Sequence, residues 1–296
     1  MGSTKYKIFK GVFEMIVGII GAGGKMGCRI TDNLLKTDYE LLFCENGKAG
    51  IERLKERNVS LTSIEETAKT SDIVILAVPD AKINEISHYI VPMLKKDAAL
   101  VTLDPSAAYA GELALRDDCT FVVTHPCHPA LFSEQDTDEA RRDFFGGIAA
   151  KQDIVIALLQ GKEEIFEKAQ KVCIDMFAPV VKCHRITVEQ MALLEPAAAE
   201  VVIAAAATLM KEAMDEVVKR GVPEEAARAF LLGHTQIPLA IAFNVISSPF
   251  SDGAKIAISV GYEKVFKENW KDVFKPEVVR ETVHKMLHPE TIKKQG

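Results

Sequence analysis

The chain has 296 residues, 48% hydrophobic and 26% charged, with 36 basic against 42 acidic residues and a net charge of -6. That length suits two domains, each with its own core. Acidic and basic residues are interspersed, so there is no basic field for nucleic acid or a membrane surface, and a small-molecule ligand is expected.

Residues 1–14 carry lysines and scattered apolar residues, with no long hydrophobic segment or cleavage signal, and are expected to be an extension outside the fold. The segment Met15 to Gly27 reads MIVGIIGAGGKMG. An apolar strand ending in glycines, followed by the helical RITDNLLK, has the layout of a dinucleotide-binding βαβ unit. Gly21 and Gly23 hold the first two glycine positions, while Met26 holds the third and Gly27 follows it, giving G-x-G-x-x-x-G. Gly21, Ala22, Gly23, Lys25, Met26 and Gly27 are therefore expected to contact the cofactor.

Short apolar runs then alternate with helical segments to about Ala150: IVGII, ELLFCE, DIVILAVP, ALVTLD and TFVVTH. Each ends in polar, Gly or Pro residues, as expected of a doubly wound α/β Rossmann domain whose parallel sheet collects ligands at its carboxyl ends. IVIALLQG adds one more strand candidate, with EEIFEKAQKVCIDMF as its helix. The expected domains are 15–186, binding NAD, and 187–296, an all-α substrate-binding and dimerisation domain.

Glu45 ends the second strand, 18 residues after Gly27. A carboxylate there can accept hydrogen bonds from the ribose hydroxyls and repels a 2′-phosphate, which predicts NAD over NADP. Lys48 and Arg53 lie close enough to soften that preference, and an exposed loop glutamate is the plainer alternative. Val78, Pro79 and Asp80, in LAVPD, are expected to form the cofactor wall. The segment THPCHPALF puts His125 and His128 at the end of a strand, where the nicotinamide edge should lie. Imidazole there can act as a base or bind a divalent metal, or can cap the loop through backbone hydrogen bonds. No second Cys/His pair follows at structural-site spacing, so a closed zinc site is not expected. The six cysteines, at 28, 44, 119, 127, 173 and 183, form no C-x-x-C and are expected to be reduced packing residues of a cytoplasmic protein.

Beyond Thr187 the pattern is helical. Thr187 and Gln190 suit a capping box opening a helix toward Gly221, and further helices are expected over Pro223–Val245, Ser251–Lys267 and Pro276–Leu287. Pro196 and Pro238 are expected to kink their helices. The apolar run Ala197 to Met210 should be buried against other helices or a second subunit, and is too short to span a bilayer. Glu195 and Glu200 are acids in that apolar helix and need a proton, a cation or hydrogen bonds if buried. On an ideal α-helix they lie about 140° apart. Glu195, nearest the domain junction, is the preferred site residue. His234 in GHTQIP, with Asp252 and Lys255 in SPFSDGAK, can line the far side of a cleft and bind a hydroxylated carboxylate, Lys255 serving as counter-charge. The alternative for the last two is a surface turn with an N-cap at Ser251. His88, His184, His284 and His288 lie among polar residues and suggest no role.

GAGGKMG, LAVPD, THPCHPALF, LLEPAAAE, GHTQIP and SPFSDGAK together resemble the D-apionate oxidoisomerases, which carry a 6-phosphogluconate-dehydrogenase-like carboxyl-terminal domain. The resemblance runs from Met15 to about Pro289. It implies NAD-dependent oxidation of D-apionate at C2 with migration of a hydroxymethyl group, giving 3-oxo-isoapionate. That chemistry suits His125 and Glu195 as ligands of a divalent ion, magnesium, manganese or zinc. Without an ion, His125 serves as base and Glu195 as an orienting carboxylate.

Two other readings stand beside it. A plain hydroxyacid dehydrogenase of the 6-phosphogluconate type usually has a lysine near the start of the central helix, and no lysine falls between Arg185 and Lys211 here. A non-catalytic NAD(H)-sensing protein would leave the histidines and helix acids without a purpose.

Overall fold

The computed structural model describes residues 15–292. The expected extension at 1–14 lies outside them. The chain divides into two compact units, one of residues up to Pro129 with Gln135–Val188, the other of Ala130–Glu134 with the residues from Glu189 on.

The first unit is built on a seven-stranded sheet in the order β2-β1-β3-β4-β5-β6-β7. Its strands are β1 Ile16–Ile20, β2 Glu40–Cys44, β3 Ile73–Leu76, β4 Ala99–Thr102, β5 Thr120–Pro126, β6 Gln152–Gln160 and β7 Val180–Arg185. The helices are α1 Lys25–Leu34, α2 Lys48–Glu56, α3 Ile64–Thr70, α4 Asp80–Ile90, α5 Ser106–Tyr109, α6 Asp138–Arg142 and α7 Glu163–Met176. Every residue of β3 and β4 is buried, which is why these strands read as continuous apolar runs. Val17, Ile19, Ile75 and Val101 from the sheet share one core with Ile30 and Leu34 of α1 and with Phe166, Val172 and Met176 of α7.

The sheet departs from the expected all-parallel form. Strands β1 to β5 are parallel, but β6 runs antiparallel to β5, with His125 opposite Val155. Parallel pairing needs a crossover, usually a full helix, whereas the β5–β6 connection carries only the five-residue α6. The unexpected β7 pairs parallel with β6 across α7. Its sequence VVKCHR lacks an apolar run because it is an edge strand whose residues are half-buried or exposed.

The second unit is helical. One continuous helical stretch contains α8 Val188–Ala192, a π-helical segment Leu193–Ala204 and α9 Ala205–Lys219. It is followed by α10 Glu224–Ala242, α11 Asp252–Lys264 and α12 Pro276–Leu287. Gly221 adopts φ +98° and stops α9. Pro196, where a kink is expected, lies inside the π-helical segment, and widened turns of that kind accommodate a residue that cannot donate a backbone hydrogen bond. The same widening changes the relation of Glu195 to Glu200. Residues five apart are hydrogen-bonding neighbours in a π turn, so the α-helical separation of about 140° does not hold.

Of the two covers expected for the Ala-rich part of this helix, other helices or a second subunit, the described residues do not supply the first: only Pro196 and Ala197 of the π-helical segment and Met214 of α9 are buried, and Ile203 is 64% exposed. One expectation is corrected. Helix 188–219 is long enough to cross a bilayer, with 32 residues and a best-window mean hydropathy of 1.6. The apolar run Ala197–Met210 is lengthened by Leu193 and Leu194, and Glu195 and Glu200 are the charged residues that interrupt it.

Candidate active site

The glycine turn lies where the chain leaves β1, with β2 on one side and β3 on the other, the point at which an open α/β sheet leaves a crevice. Gly21 has φ +84°, and a Cβ on it would collide with the carbonyl oxygen of Ala77. A Cβ on Gly27 would collide with the carbonyl oxygen of Gly21, so this glycine lets α1 pack against the turn. No side chain caps the start of α1, and an uncapped helix start of this kind is suited to a phosphate.

Glu45 secures the turn. Its Oε2 accepts from Gly23 N at 3.0 Å, and its Oε1 accepts from Asn46 N at 2.9 Å and Gly47 N at 2.8 Å. Arg53 Nε donates to Gly23 O at 2.7 Å. A cleft of about 830 Å³ opens beside these groups, lined by Gly21, Gly24, Glu45, Lys48, Arg53, Val78, Pro79 and Lys82. Its size and its glycine cradle fit an extended dinucleotide. Asp80 opens α4, with Pro79 as the residue before it. Lys25 opens α1 and is exposed.

His125 is half-buried near the end of β5 and its Nδ1 lies 2.8 Å from the carbonyl oxygen of Leu103. A carbonyl only accepts, so Nδ1 carries the proton and Nε2 is the basic nitrogen. His128, at φ +61°, has the same arrangement, with Nδ1 donating to Phe145 O at 2.9 Å. The two imidazoles meet edge to face, with ring centroids 6.0 Å apart. Backbone hydrogen bonds of this type are what the loop-capping alternative requires. They are also the contacts that orient imidazoles as ligands or bases.

The intervening Cys127 borders solvent, contrary to the expectation that the cysteines serve as packing residues. Its thiol is pushed up to about 11 by the protein packed around it, then by Asp153 and Cys183, so it is neutral at physiological pH. Cys28, Cys44, Cys119 and Cys173 are buried as expected, and Cys183 is half-buried.

The second unit holds the remaining candidates. Glu195 is half-buried in the π-helical segment, while Glu200 is exposed, so the need for a partner that burial imposes falls on the first. His234 is exposed on α10, stacked on Phe230 at 3.8 Å between centroids, with Nδ1 donating to Phe230 O at 2.9 Å. Lys255 pairs with Asp252 at 3.0 Å in the first turn of α11, where Ser251 Oγ accepts from Ala254 N. The N-cap alternative for that segment is therefore present, and the counter-charge role of Lys255 is shared with its neighbour.

Sequence reasoning missed the segment Asp143–Ala150. The Asp143 carboxylate is 2% exposed, pairs with Arg29 of α1 at 2.9 Å, and accepts from Ile148 N and Ala149 N at 2.9 and 3.1 Å. Arg29 also donates to Gly146 O. Two aromatic residues followed by Gly146-Gly147 were the available signal, since both glycines adopt positive φ.

Comparisons with known proteins bear on the family and the fold. Residues 16–104 match the family described as NADP oxidoreductase coenzyme F420-dependent, and 133–287 match Phosphogluconate dehydrogenase (decarboxylating) C-term. A D-apionate oxidoisomerase of Blautia hydrogenotrophica is 44% identical over 94% of this chain and 98% of its own. One of Cupriavidus necator is 45% identical over 91% and 98%. A crystal structure described as a semialdehyde dehydrogenase NAD-binding protein from Cupriavidus necator, in complex with calcium and NAD, superposes with a TM-score of 0.90. It is 45% identical and covers 93% of this chain and 100% of that one. An NADH-preferring ketol-acid reductoisomerase from an uncultured archaeon, 19% identical with a TM-score of 0.66, shares the fold.

Fold, glycine cleft and relatives define an NAD-binding oxidoreductase with a Rossmann domain and a helical carboxyl-terminal domain. Within that class the chain belongs to the D-apionate oxidoisomerase family.

Proposed function

We propose that the chain converts D-apionate to 3-oxo-isoapionate in an NAD-dependent oxidation coupled to a carbon shift. The carrying observation is similarity to D-apionate oxidoisomerases across both units, over at least 91% of the chain. NAD, when bound in the glycine cleft, supplies the hydride acceptor. His125 Nε2 takes the proton of the C2 hydroxyl as the C2 carbonyl forms. The C3 hydroxyl then gives up its proton, and a hydroxymethyl group migrates with its bonding pair from C3 to C2. C3 becomes the ketone and the C2 oxygen takes a proton, so the second step is an isomerisation.

Glu195 orients the reacting hydroxyls, or together with His125 holds a divalent ion. Magnesium, manganese or zinc would supply Lewis-acid polarisation of the ketone. An imidazole held by a backbone carbonyl supports that donor set. His128 assists at the same edge, and His234, Asp252 and Lys255 bind the polyhydroxy carboxylate. Glu45 directs the choice of NAD over NADP, Val78, Pro79 and Asp80 form the cofactor wall, and residues 15–186 and 187–296 divide cofactor binding from substrate binding and dimerisation. The enzyme acts in the cytoplasm as a homodimer, without nucleic-acid or membrane partners. The exposed apolar residues of the helical unit support the dimer, Phe243 at 71% and Ile256 at 68% among them.

Steady-state NADH formation on a panel of branched and linear sugar acids tests the assignment. Turnover confined to D-apionate is expected. Turnover on linear 2-hydroxy acids with none on D-apionate would instead support the plain dehydrogenase.

A further inference from the structure

The segment Asp143–Ala150 lies between the glycine turn and the histidine pair. Its backbone is anchored by the Arg29–Asp143 ion pair and the hydrogen bonds to the Asp143 carboxylate. The anchored Phe145 meets both functional groups. Lys25 Nζ sits 3.6 Å from the centroid of its ring, and the imidazole of His128 meets the ring edge to face at 6.0 Å. The Phe145 carbonyl also accepts from His128 Nδ1. Lys25, Phe145, His128 and His125 thus form a contiguous row within one compact unit.

We propose that Phe145 is a positioning residue joining the cofactor loop to the histidine pair. Its ring holds the Lys25 ammonium until the dinucleotide diphosphate draws that charge away, and its contact with His128 supports that imidazole. The inference rests on the reading of the glycine cleft as the NAD site. A cation over an aromatic face is held by the ring quadrupole, and at an exposed site this attraction is weak beside that of a diphosphate at a helix start. Phe145 is 44% exposed, so the exchange exacts only a small cost from NAD binding. Arg29 lies farther from the ring, at 5.6 Å, and stays paired with Asp143.

The two contacts predict opposite effects. Phe145→Leu keeps the backbone carbonyl but removes the ring, so NAD should bind roughly two- to fivefold more tightly while kcat falls. Pentafluorophenylalanine at position 145 keeps a ring there and reverses its quadrupole, so NAD affinity should rise as it does with leucine. In a Lys25→Met background neither replacement should change NAD affinity. Binding is read by calorimetry with NAD, and turnover with D-apionate. Unchanged or weaker NAD binding with the fluorinated ring would overturn the inference, as would equal tightening in the Lys25→Met background. A wild-type protein that fails to bind NAD would remove the cofactor reading and the inference with it, whereas normal wild-type binding with no fluorine effect would remove the inference alone.

Discussion

His125 donates from Nδ1 to the carbonyl oxygen of Leu103 across 2.8 Å, from β5 to the residue that follows β4. The bond selects one tautomer and fixes the plane of the ring, so Nε2 is the nitrogen that takes a proton or binds a cation. If His125 and Glu195 act as one catalytic device, His125→Ala and Glu195→Gln should each lower turnover by on the order of a hundredfold or more. The double variant should be little worse than either, because parts of one device are not additive. Cofactor affinity should barely change. Losses that multiply would indicate two separate roles, and near-normal turnover in either single variant would remove that residue from the mechanism.

Glu45 both secures Gly23 and sets a negative charge at the end of β2. The expected outcome is at least a tenfold preference for NAD over NADP in kcat/KM, about 1.4 kcal/mol. Glu45→Ser should narrow the gap. It should also lower efficiency with NAD, because Gly23 N, Asn46 N and Gly47 N lose their acceptor. Equal efficiencies in the wild-type enzyme would contradict the assignment.

The apolar helical unit predicts a homodimer. Light scattering at micromolar concentration should give twice the mass of one chain. Ile203→Glu, on the exposed part of the π-helical segment, should shift the population toward single chains. A single-chain mass for the wild type would refute the dimer.

Burial raises the Asp143 pKa, but the Arg29 guanidinium and three backbone N–H groups outweigh it and hold the carboxyl below its ordinary 3.8. A depressed carboxyl pKa contributes stability that is present above the unfolded value and lost as pH falls through the folded one. Wild-type stability should therefore decline below about pH 4. Asp143→Asn should flatten that part of the profile and destabilise the protein at neutral pH by roughly 3 kcal/mol, because the partly buried Arg29 loses its counter-charge. Thermal unfolding from pH 3 to 7 measures both effects, and an unchanged midpoint at pH 7 would exclude a structural role for the pair.

The parts of the fold legible in the sequence were those in which one residue type answers one local demand. Gly21 and Gly27 stand where a Cβ has no room, and the continuous apolar runs of β3 and β4 are strands buried on both faces. Strand β7 was illegible because an edge strand needs no apolar alternation, and the direction of β6 because it depends on the connection rather than on the strand. The π turn around Pro196 and the Arg29–Asp143 pair, 114 residues apart, depend on tertiary contacts that no local window contains. The cover of the apolar helix stayed open between other helices and a second subunit for a related reason: apolar composition predicts that a surface is covered, not by which chain.

Carbon NMR of the product tests oxidation with rearrangement most directly. Oxidation at C2 alone leaves two equivalent hydroxymethyl groups on C3 and hence one hydroxymethyl signal. Migration leaves one hydroxymethyl on C2 and one beside the new ketone at C3. With D-apionate and NAD, the account predicts two distinct hydroxymethyl carbons and one ketone carbon, formed in step with NADH. A single hydroxymethyl signal beside a 2-oxo acid would contradict it and leave a dehydrogenase without isomerisation.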